Sequence, residues 1–392
     1  MILPGLIDPH VHLRAPGGEH KEDFRTGTRA ALAGGFTTVL AMPNTRPPPV
    51  TRRDFRVAQK LLNQQALCDV FLYAGASAEH IAELPGLSSL AVALKVYMDE
   101  TYGPLRVRGL ANLEKVFNTW PENKLICLHA EQESVAVGIA LAAVTRRHVH
   151  FCHVSRREEI ELIAYAKSAG LLVTCEVTPH HLFLTYKDGE RLGPYGDMRP
   201  RLQSQSDVDA LWEHINSTVD MIASDHAPHT RAEKGPWPHF NESPLWARPE
   251  MDLYDLNASL AHTYQQHWRL PAASETGQSV PEMTVRSPVP PGVPGLESSL
   301  PLMLTAAAQG RLSYERLVEL MWTNPRRIFN LPLQTDTWVE VDEKLHYTFP
   351  LHPLQTKCGW SPFTGMLMTG RVQRVVLRGQ EVVRDGIVLN YH

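Results

Sequence analysis

The feature that most constrains the fold of this chain is an alternation of short apolar runs, rich in β-branched residues, with longer amphipathic stretches over residues 6–225. Each run has the length and composition of a buried strand. The eight runs are Leu6–His12, Phe36–Met42, Val70–Ala76, Leu90–Met98, Leu125–Ala130, Val149–Val154, Leu171–Val177 and Met221–Asp225. The stretches between them predict helices at Lys21–Ala33, Arg52–Gln65, Leu110–Trp120, Glu133–Val144, Glu158–Ala169 and Val208–His214, with a weaker one at Glu79–Leu84. Because parallel strands need such crossovers, the pattern predicts an α/β fold, a TIM-type (β/α)₈ barrel.

After the eighth run the sequence becomes irregular and rich in proline. Ten of the 30 prolines lie between Gly235 and Leu300. We expect residues 235–287 to form a long loop or insertion, in which Met251–Trp268 has the composition of a helix.

From Trp338 onward, polar and apolar residues alternate in the manner of strands separated by tight turns. The 392 residues exceed one ordinary domain of about 100–200 residues, which suits a large barrel with a second unit. We therefore expect a barrel at residues 1–334, interrupted at 235–287, and a small β subdomain at residues 335–392. The strands of this subdomain are expected to come from the C-terminal tail alone.

Charge and cysteine usage exclude several classes of protein. The 38 Lys and Arg residues against 42 Asp and Glu residues give a formal net charge of −4, so no basic footprint for nucleic acid is present. The five cysteines are odd in number and form no CxxC pair, which is typical of a reduced, intracellular protein. No signal-peptide pattern and no run of about 20 apolar residues occurs. We expect a cytoplasmic protein that does not bind membranes.

Metal-ligand side chains occur at the ends of four predicted strands. His10 and His12 are two residues apart, so they point to the same side of the first strand. His129, His153 and Asp225 end the fifth, sixth and eighth runs. In a barrel the carboxyl ends of the strands converge, so these side chains predict one metal site. Each histidine taken alone is equally compatible with a solvated or core position.

Lys95 lies inside the apolar fourth run, where an ammonium group is costly to bury. Its charge would also be repelled by neighbouring cations. Carboxylation of the amine by CO₂ would remove that charge and supply two oxygens, one for each of two metal ions. The alternative is a lysine that extends to the rim of the barrel. In the presence of the four histidines we favour the bridging ligand.

Together these motifs resemble the dihydroorotases of the amidohydrolase superfamily, and in particular the dihydroorotase domain of the animal multifunctional pyrimidine-synthesis protein. The resemblance covers the chain from Leu3 to about Leu389, apart from the proline-rich segment. The motifs that carry it are His10-Val-His12-Leu-Arg14, Met42-Pro-Asn44-Thr, Leu94-Lys95-Val-Tyr, His129-Ala-Glu131, His153-Val, Glu176-Val-Thr-Pro-His-His181 and Ser224-Asp225-His-Ala-Pro-His229. It implies a zinc-dependent amidohydrolase that reversibly cyclises N-carbamoyl-L-aspartate to (S)-dihydroorotate in de novo pyrimidine synthesis.

The resemblance also implies a ligand for each metal ion. One zinc would be held by His10, His12, carboxylated Lys95 and Asp225, the other by Lys95, His129 and His153. A third zinc in the animal domain corresponds here to His10, Cys152 and Glu176. By strand periodicity alone Cys152 faces away from His153, which favours a core position for the thiol.

Further matches imply the roles of residues around the metals. Asp225 would carry the proton between the attacking water and the ring nitrogen. The residues matched to substrate binding are Arg14, Asn44, Arg199, His229 and Pro291, and Arg199 is equally compatible with a solvated loop charge. Thr101 and Tyr102 match a flexible loop that closes over the substrate. The family has Phe at the second position, so the hydroxyl of Tyr102 is a departure.

The resemblance implies a small-molecule substrate, a homodimer, and fusion to or association with carbamoyl-phosphate synthetase and aspartate transcarbamylase. Two other functions stay open from the sequence. A dihydropyrimidinase or allantoinase would keep the same metal ligands without needing arginines for a carboxylate. A catalytically silent homologue could instead act as a scaffold, for which the long insertion offers a surface.

Overall fold

The structure, a computed structural model, describes residues 1–236 and 289–390. The predicted insertion at 235–287 lies outside the described residues except for its first two positions, and so does the predicted helix at Met251–Trp268. Residues on both sides of the gap, up to 236 and from 290 onward, belong to one compact unit.

Parallel strands occur at all eight predicted runs, most of them shorter than the runs themselves. The strands are β2 (Leu6–Val11), β3 (Phe36–Ala41), β4 (Asp69–Leu72), β5 (Ala74–Gly75), β6 (Leu94–Tyr97), β7 (Ile126–His129), β8 (Val149–Phe151), β9 (Val173–Val177) and β10 (Met221–Ile222). β2–β4 form one parallel sheet and β5–β10 another. The third run is split at Tyr73, whose N–H donates to Ala41 O at 3.1 Å, while the N–H of Ala74 donates to Ala93 O at 3.0 Å. This run therefore pairs with the strands on both sides.

The first strand is also linked to the segment that follows the last one. Val11 forms a parallel bridge with His226, and the N–H of His12 donates to the His226 carbonyl at 2.7 Å. The carboxyl ends of β2 and β10 therefore lie side by side.

Helices connect the strands close to the predicted positions. They are α1 (Phe24–Ala33), α2 (Arg52–Gln65), α3 (Leu84–Leu87), α4 (Leu110–Thr119), α5 (Glu133–Thr145), α6 (Arg157–Ser168), α7 (Pro179–Phe183), α8 (Tyr186–Leu192), α9 (Gln205–Glu213), α10 (Arg231–Lys234), α11 (Leu296–Ala308), α12 (Tyr314–Val318) and α13 (Asn324–Ile328). The weakly predicted helix before the fourth strand is a 3₁₀ turn at Ala78–Glu83 that continues into α3. None of the helices among the described residues is long and apolar enough to cross a membrane.

A separate antiparallel sheet is built mostly from the tail. Its order is β1 (Ile2–Pro4), β11 (Trp338–Thr348), β12 (Leu367–Leu377), β13 (Gln380–Arg384) and β14 (Ile387–Val388). The expectation that the tail alone supplies its strands is wrong, because Leu3 pairs opposite Val339. A three-residue strand carries too little alternation to be recognised in sequence, and its proline is tolerated because β1 is an edge strand.

The barrel-type strands are buried on both faces, which explains their nearly continuous apolar sequence. In β3, Val39 packs in the larger apolar cluster and Leu40 in a smaller one. In β7, Ile126 and Leu128 belong to the larger cluster and Cys127 to the smaller. Alternate side chains thus supply two cores, and the polar strand-end residues lie beyond the smaller one.

Candidate active site

The predicted strand-end ligands lie together in the structure. His10 is in β2 and His12 directly follows that strand, while His129 is the last residue of β7. His153 and Asp225 come shortly after β8 and β10. All five side chains are buried. The structure therefore brings these residues together, and their role as metal ligands stays a prediction.

One group of possible ligands is formed by His10, His12 and Asp225, whose ligand atoms lie within 4.8 Å of one another. Asp225 Oδ1 lies 3.1 Å from His12 Nε2 and 3.4 Å from His10 Nε2. Burial lowers the pKa of His12 to about 4, so its ring is neutral at pH 7. Burial would raise the pKa of Asp225, but His10 and His12 outweigh it and hold that pKa below its ordinary value. Neutral imidazole and ionised carboxylate are the forms that bind metals.

The second group contains His129 and His153. His129 Nδ1 lies 2.9 Å from His153 Nε2, and the ring centroids are 4.6 Å apart. Burial lowers the pKa of both rings. The charge of Lys95 lowers both further, and His129 also lowers that of His153. His129 Nε2 lies 3.1 Å from Glu131 Oε1, which orients this ring. His153 Nδ1 is buried and has no hydrogen-bond partner among the described residues.

Lys95 lies in β6, is fully buried, and is near enough to His129 and His153 for its charge to lower the pKa of both. Its Nζ has no hydrogen-bond partner in the described part of the chain, although it lies 5.2 Å from the centroid of the Tyr97 ring. The alternative in which Lys95 extends to the rim does not fit this burial. An unpaired ammonium in such a position is energetically costly.

The third predicted site is also assembled. Ligand atoms of His10, Cys152 and Glu176 lie within 4.8 Å of one another, and His10 Nδ1 is 2.5 Å from Glu176 Oε1. Strand periodicity favoured a position for Cys152 away from the site. That argument fails because β8 ends at Phe151, so alternation does not extend through Cys152 and His153. The thiol packs in the smaller apolar core and still faces the metal ligands.

Three residues of the site have a left-handed backbone that non-glycine residues rarely adopt. They are Arg14 (φ 59°), His153 (φ 35°) and Asp225 (φ 43°). Each follows the carboxyl end of a strand, so the turn directs its side chain toward the centre of the strand ends. Such strain is commonly concentrated at functional sites.

Arg14, His229 and Pro291 lie together on one side of the metal-ligand residues. Arg14 Nε donates to Pro228 O at 3.1 Å, and its Nη2 lies 3.1 Å from His229 Nε2. His229 Nε2 is 2.9 Å from Pro291 O. Burial, followed by the charges of Arg14 and Lys21, lowers the pKa of His229, so this ring is neutral.

Arg199 faces the same cavity from the loop after β9. Its Nη1 donates to Asp197 Oδ1 at 2.5 Å and to Met198 O at 2.7 Å. The side chain is about one-quarter exposed, so it is a partly buried residue of the cavity wall and not a fully solvated loop charge.

Asn44 lies beside the site, and both the oxygen and the nitrogen of its side-chain amide form hydrogen bonds. Its Oδ1 is 2.6 Å from His12 Nδ1, and its Nδ2 donates to the Tyr102 carbonyl at 3.1 Å. Asn44 therefore orients a metal-ligand histidine and contacts the predicted flexible loop. Thr101 and Tyr102 of that loop both face the cavity.

These groups line a cavity of about 360 Å³, a volume that includes space open to solvent. Its wall is formed by His10, His12, Arg14, Asn44, Tyr97, Thr101, Tyr102, His129, His153, Arg199, Asp225, Ala227, Pro291 and Gly292. His229 supports the wall from behind.

Three residues at the site were not predicted from the sequence. Tyr97 lies two residues after Lys95 on the same strand, so the period of two could have identified it. Glu131 lies two residues after His129 and contacts that ring. Lys21 is buried beside His229, and no sequence pattern connects two residues so far apart in the chain.

Comparison with known proteins decides the family. A family model described as "Dihydro-orotase-like" matches residues 1–101. The chain is 32% identical over 414 residues to a dihydroorotase from Methanosarcina mazei, covering 93% of this chain and 80% of that protein. It is also 32% identical to a dihydroorotase from Pyrococcus abyssi, covering 99% and 85%.

The chain belongs to the dihydroorotase family. It is 42% identical over 388 residues to the multifunctional protein CAD of Squalus acanthias, covering 99% of this chain. The chain spans only about 15% of the length of that relative. Members of this family are hydrolases of cyclic amides that act in pyrimidine synthesis.

Solved structures show the same fold. The L-hydantoinase of Arthrobacter aurescens matches with a TM-score of 0.82 at 24% identity, covering 100% of this chain and 87% of that one. An inactive dihydroorotase-like domain of a CAD-like multifunctional protein from Chaetomium thermophilum matches with a TM-score of 0.72 at 24% identity, covering 100% and 97%. These two likenesses show the fold of this chain.

Proposed function

We propose that this chain interconverts N-carbamoyl-L-aspartate and (S)-dihydroorotate, the cyclic amide step of de novo pyrimidine synthesis. The observation that carries the proposal is the composition of one cavity wall. Buried histidines and Asp225 form one side, and the guanidinium groups of Arg14 and Arg199 face the same space. A substrate with both a cleavable amide and a carboxylate matches these two sides.

We propose that zinc ions bind at the residues of the first two groups. The first ion would be held by His10, His12, Asp225 and carboxylated Lys95, and the second by Lys95, His129 and His153. The unpaired, fully buried Nζ of Lys95 supports this assignment, because carboxylation by CO₂ would give it metal partners. When bound, such ions would polarise an amide carbonyl and lower the pKa of a water toward neutrality. A third zinc would be held by His10, Cys152 and Glu176.

The residues of the chain have distinct tasks in this reaction. Asp225 is ionised and faces the cavity, so it can accept a proton from the attacking water and deliver it to the departing ring nitrogen. During cyclisation the same carboxylate carries a proton in the opposite direction. Arg14 and Arg199 would bind the substrate carboxylate, with His229 and the Pro291 carbonyl beside them.

We further propose that residues 1–334, apart from β1 and interrupted at 235–287, form a closed (β/α)₈ barrel, and that residues 335–392 together with β1 form the β subdomain. The hydrogen bonds between neighbouring strands and the bridge from Val11 to His226 support closure. We also propose a cytoplasmic homodimer. The match to a part of multifunctional proteins supports fusion to or association with carbamoyl-phosphate synthetase and aspartate transcarbamylase.

The function is tested by assaying the purified, zinc-loaded protein with dihydroorotate, carbamoyl-aspartate, hydantoin and allantoin. We expect turnover of the first two and at least 100-fold lower kcat in Asp225→Ala, since a positioned acid–base group contributes about 10²–10⁴-fold. Asp209→Ala, at an exposed position of α9, is the matched control. Turnover of hydantoin or allantoin alone would indicate a different cyclic amidohydrolase. Bound metal without any turnover would indicate a silent homologue.

A further inference from the structure

The loop that carries Thr101 and Tyr102 is fixed at both ends. At its start, Asp99 Oδ2 accepts the N–H of Glu131 at 2.8 Å, and Asp99 Oδ1 accepts the Ser134 hydroxyl at 2.9 Å. At its end, the N–H of Val107 donates to Tyr97 O at 3.0 Å. The loop can therefore open only by moving the segment between these anchors.

The middle of the loop is held over the cavity by one residue. Within the described chain, the hydrogen bonds from residues 101–104 to groups outside the loop all involve Tyr102. Its carbonyl accepts from Asn44 at 3.1 Å, and its hydroxyl lies 2.9 Å from Lys21 Nζ. Its ring also meets the edge of His229, with centroids 5.0 Å apart. Closure of the loop thus depends on the backbone carbonyl and the side-chain hydroxyl of Tyr102.

Lys21 uses its whole hydrogen-bonding capacity at this point. A lysine ammonium has three N–H donors and no acceptor. Lys21 Nζ lies 2.9 Å from the Tyr102 hydroxyl, 3.0 Å from His229 Nδ1 and 2.8 Å from Glu233 Oε1. The lysine side chain is about 5% exposed, so water competes little for these bonds. Glu233 supplies the opposite charge that allows the ammonium to be buried.

We propose that the bond from Lys21 to the Tyr102 hydroxyl is a polar latch that keeps the loop closed over the substrate cavity. Lys21 is also a positioning residue for His229. Because it donates to Nδ1, the single N–H of the neutral His229 ring lies on Nε2 and donates to Pro291 O. With this tautomer, Arg14 Nη2 contacts Nε2 at 3.1 Å without a hydrogen bond, because guanidinium nitrogens can only donate. Phenylalanine, which the family resemblance predicts at position 102, could stack on His229 but could not form this latch. The kinetic consequences rest on the proposed function, whereas the closure itself does not.

Loop opening is measured by trypsin cleavage after Arg106, which lies between the two anchors, in the zinc-loaded, substrate-free protein. Tyr102→Phe keeps the ring and the carbonyl contact and removes only the hydroxyl. We expect it to speed cleavage at least about tenfold, the equilibrium change for losing one hydrogen bond to a charged group. Lys21→Met should give a similar increase, and the double variant no further increase. Tyr186→Phe, an exposed tyrosine on α8, should cleave at the wild-type rate.

Steady-state kinetics distinguish a loss of loop closure, which raises KM, from a general loss of active protein, which lowers kcat. We expect Tyr102→Phe to raise the KM for dihydroorotate about three- to tenfold with kcat changed less than twofold. Lys21→Met should in addition lower kcat, because His229 loses its fixed tautomer. Multiplicative effects of the two substitutions on cleavage, or wild-type cleavage and KM in Tyr102→Phe, would overturn the latch. Absence of dihydroorotate turnover in the wild type would refute the proposed function and leave the cleavage test intact.

Discussion

At the scale of single residues, burial acts in opposite directions on the two kinds of ligand in the site. It lowers the pKa of His12, His129 and His153 and so keeps them neutral. It would raise the pKa of Asp225 and Glu176, but neighbouring histidines hold both below their ordinary values. These five groups are therefore ready to bind metal at pH 7 without losing a proton.

Lys95 differs, because its amine has to be modified before it can bind metal. Lys95→Met keeps the length of the side chain and removes the buried amine. We expect metal content below half of the wild-type value and kcat reduced at least 100-fold. In metal-free buffer the variant should melt no lower than the wild type, since an unpaired buried amine stabilises nothing. Elemental analysis measures the metal content, and thermal circular dichroism measures the melting temperature. Lys357→Met, at a partly exposed lysine, is the control. Full metal content in Lys95→Met would contradict the bridging role.

Substitution of Cys152 tests whether the chain binds two zinc ions or three. Burial raises the pKa of its thiol, so the thiol binds only if a metal displaces the proton. We expect Cys152→Ala to lower the metal content by one ion per chain, with less effect on turnover than Asp225→Ala. If wild type and Cys152→Ala contained the same amount of metal, Cys152 would be a residue of the apolar core and not a metal ligand. Cys175→Ala, also buried but outside the ligand groups, is the control.

The sequence predicted site residues well where the fold itself brings them together. Histidines at the ends of parallel strands must converge, so spacing along the chain was sufficient. The periodicity argument for Cys152 failed because the end of β8 cannot be read to one residue. Lys21 could not be found, because its partners Tyr102 and Glu233 are brought to it by a distant loop and by α10.

At the scale of elements, the hydrophobic periodicity of the sequence predicted the long strands and helices. It did not predict the short strand β1 or the division of the third predicted strand. The helix predicted at Arg52–Gln65 has those bounds in α2. The third strand is divided at Tyr73, whose buried hydroxyl donates to Pro9 O at 2.9 Å. β1 depends on a partner more than 330 residues away, so its local sequence contains little signal.

The start of α1 offers a test of one element. Asp23 Oδ1 accepts the N–H of Thr26 at 2.8 Å, and the N–H of Asp23 donates to the Thr26 hydroxyl at 3.1 Å, which completes a capping box. We expect Asp23→Ala to lower the free energy of unfolding by about 1–2 kcal/mol, measured by urea denaturation. Asp209→Ala, exposed within α9, should change it by less than about 0.5 kcal/mol. Equal effects of the two substitutions would rule out the cap as the cause.

At the scale of the whole molecule, two carboxyl groups, of the buried Glu22 and the partly buried Glu297, attach the tail segment 355–357 to the barrel-type unit. Glu297, at the start of α11, accepts the N–H groups of Gln355 and Thr356 at 2.8–2.9 Å. Glu22, before α1, accepts the Thr356 hydroxyl and the N–H of Lys357. The tail segment is thus held to the rest of the chain by hydrogen bonds that end on carboxyl oxygens.

Burial raises the pKa of Glu297 to about 7, so this link is sensitive to pH. Below its ordinary pKa of 4.5 the group is protonated in both the folded and the unfolded chain. As the pH rises to 7, the unfolded chain releases the proton while the folded chain retains it, so stability falls. The loss is at most about 3 kcal/mol, from about 1.4 kcal/mol per pH unit. Glu297→Gln mimics the protonated acid, so its free energy of unfolding should not show this fall of up to about 3 kcal/mol between pH 4.5 and 7. Urea unfolding of both proteins at the two pH values measures the difference. Parallel curves for the two proteins would show that Glu297 is ionised in the folded chain.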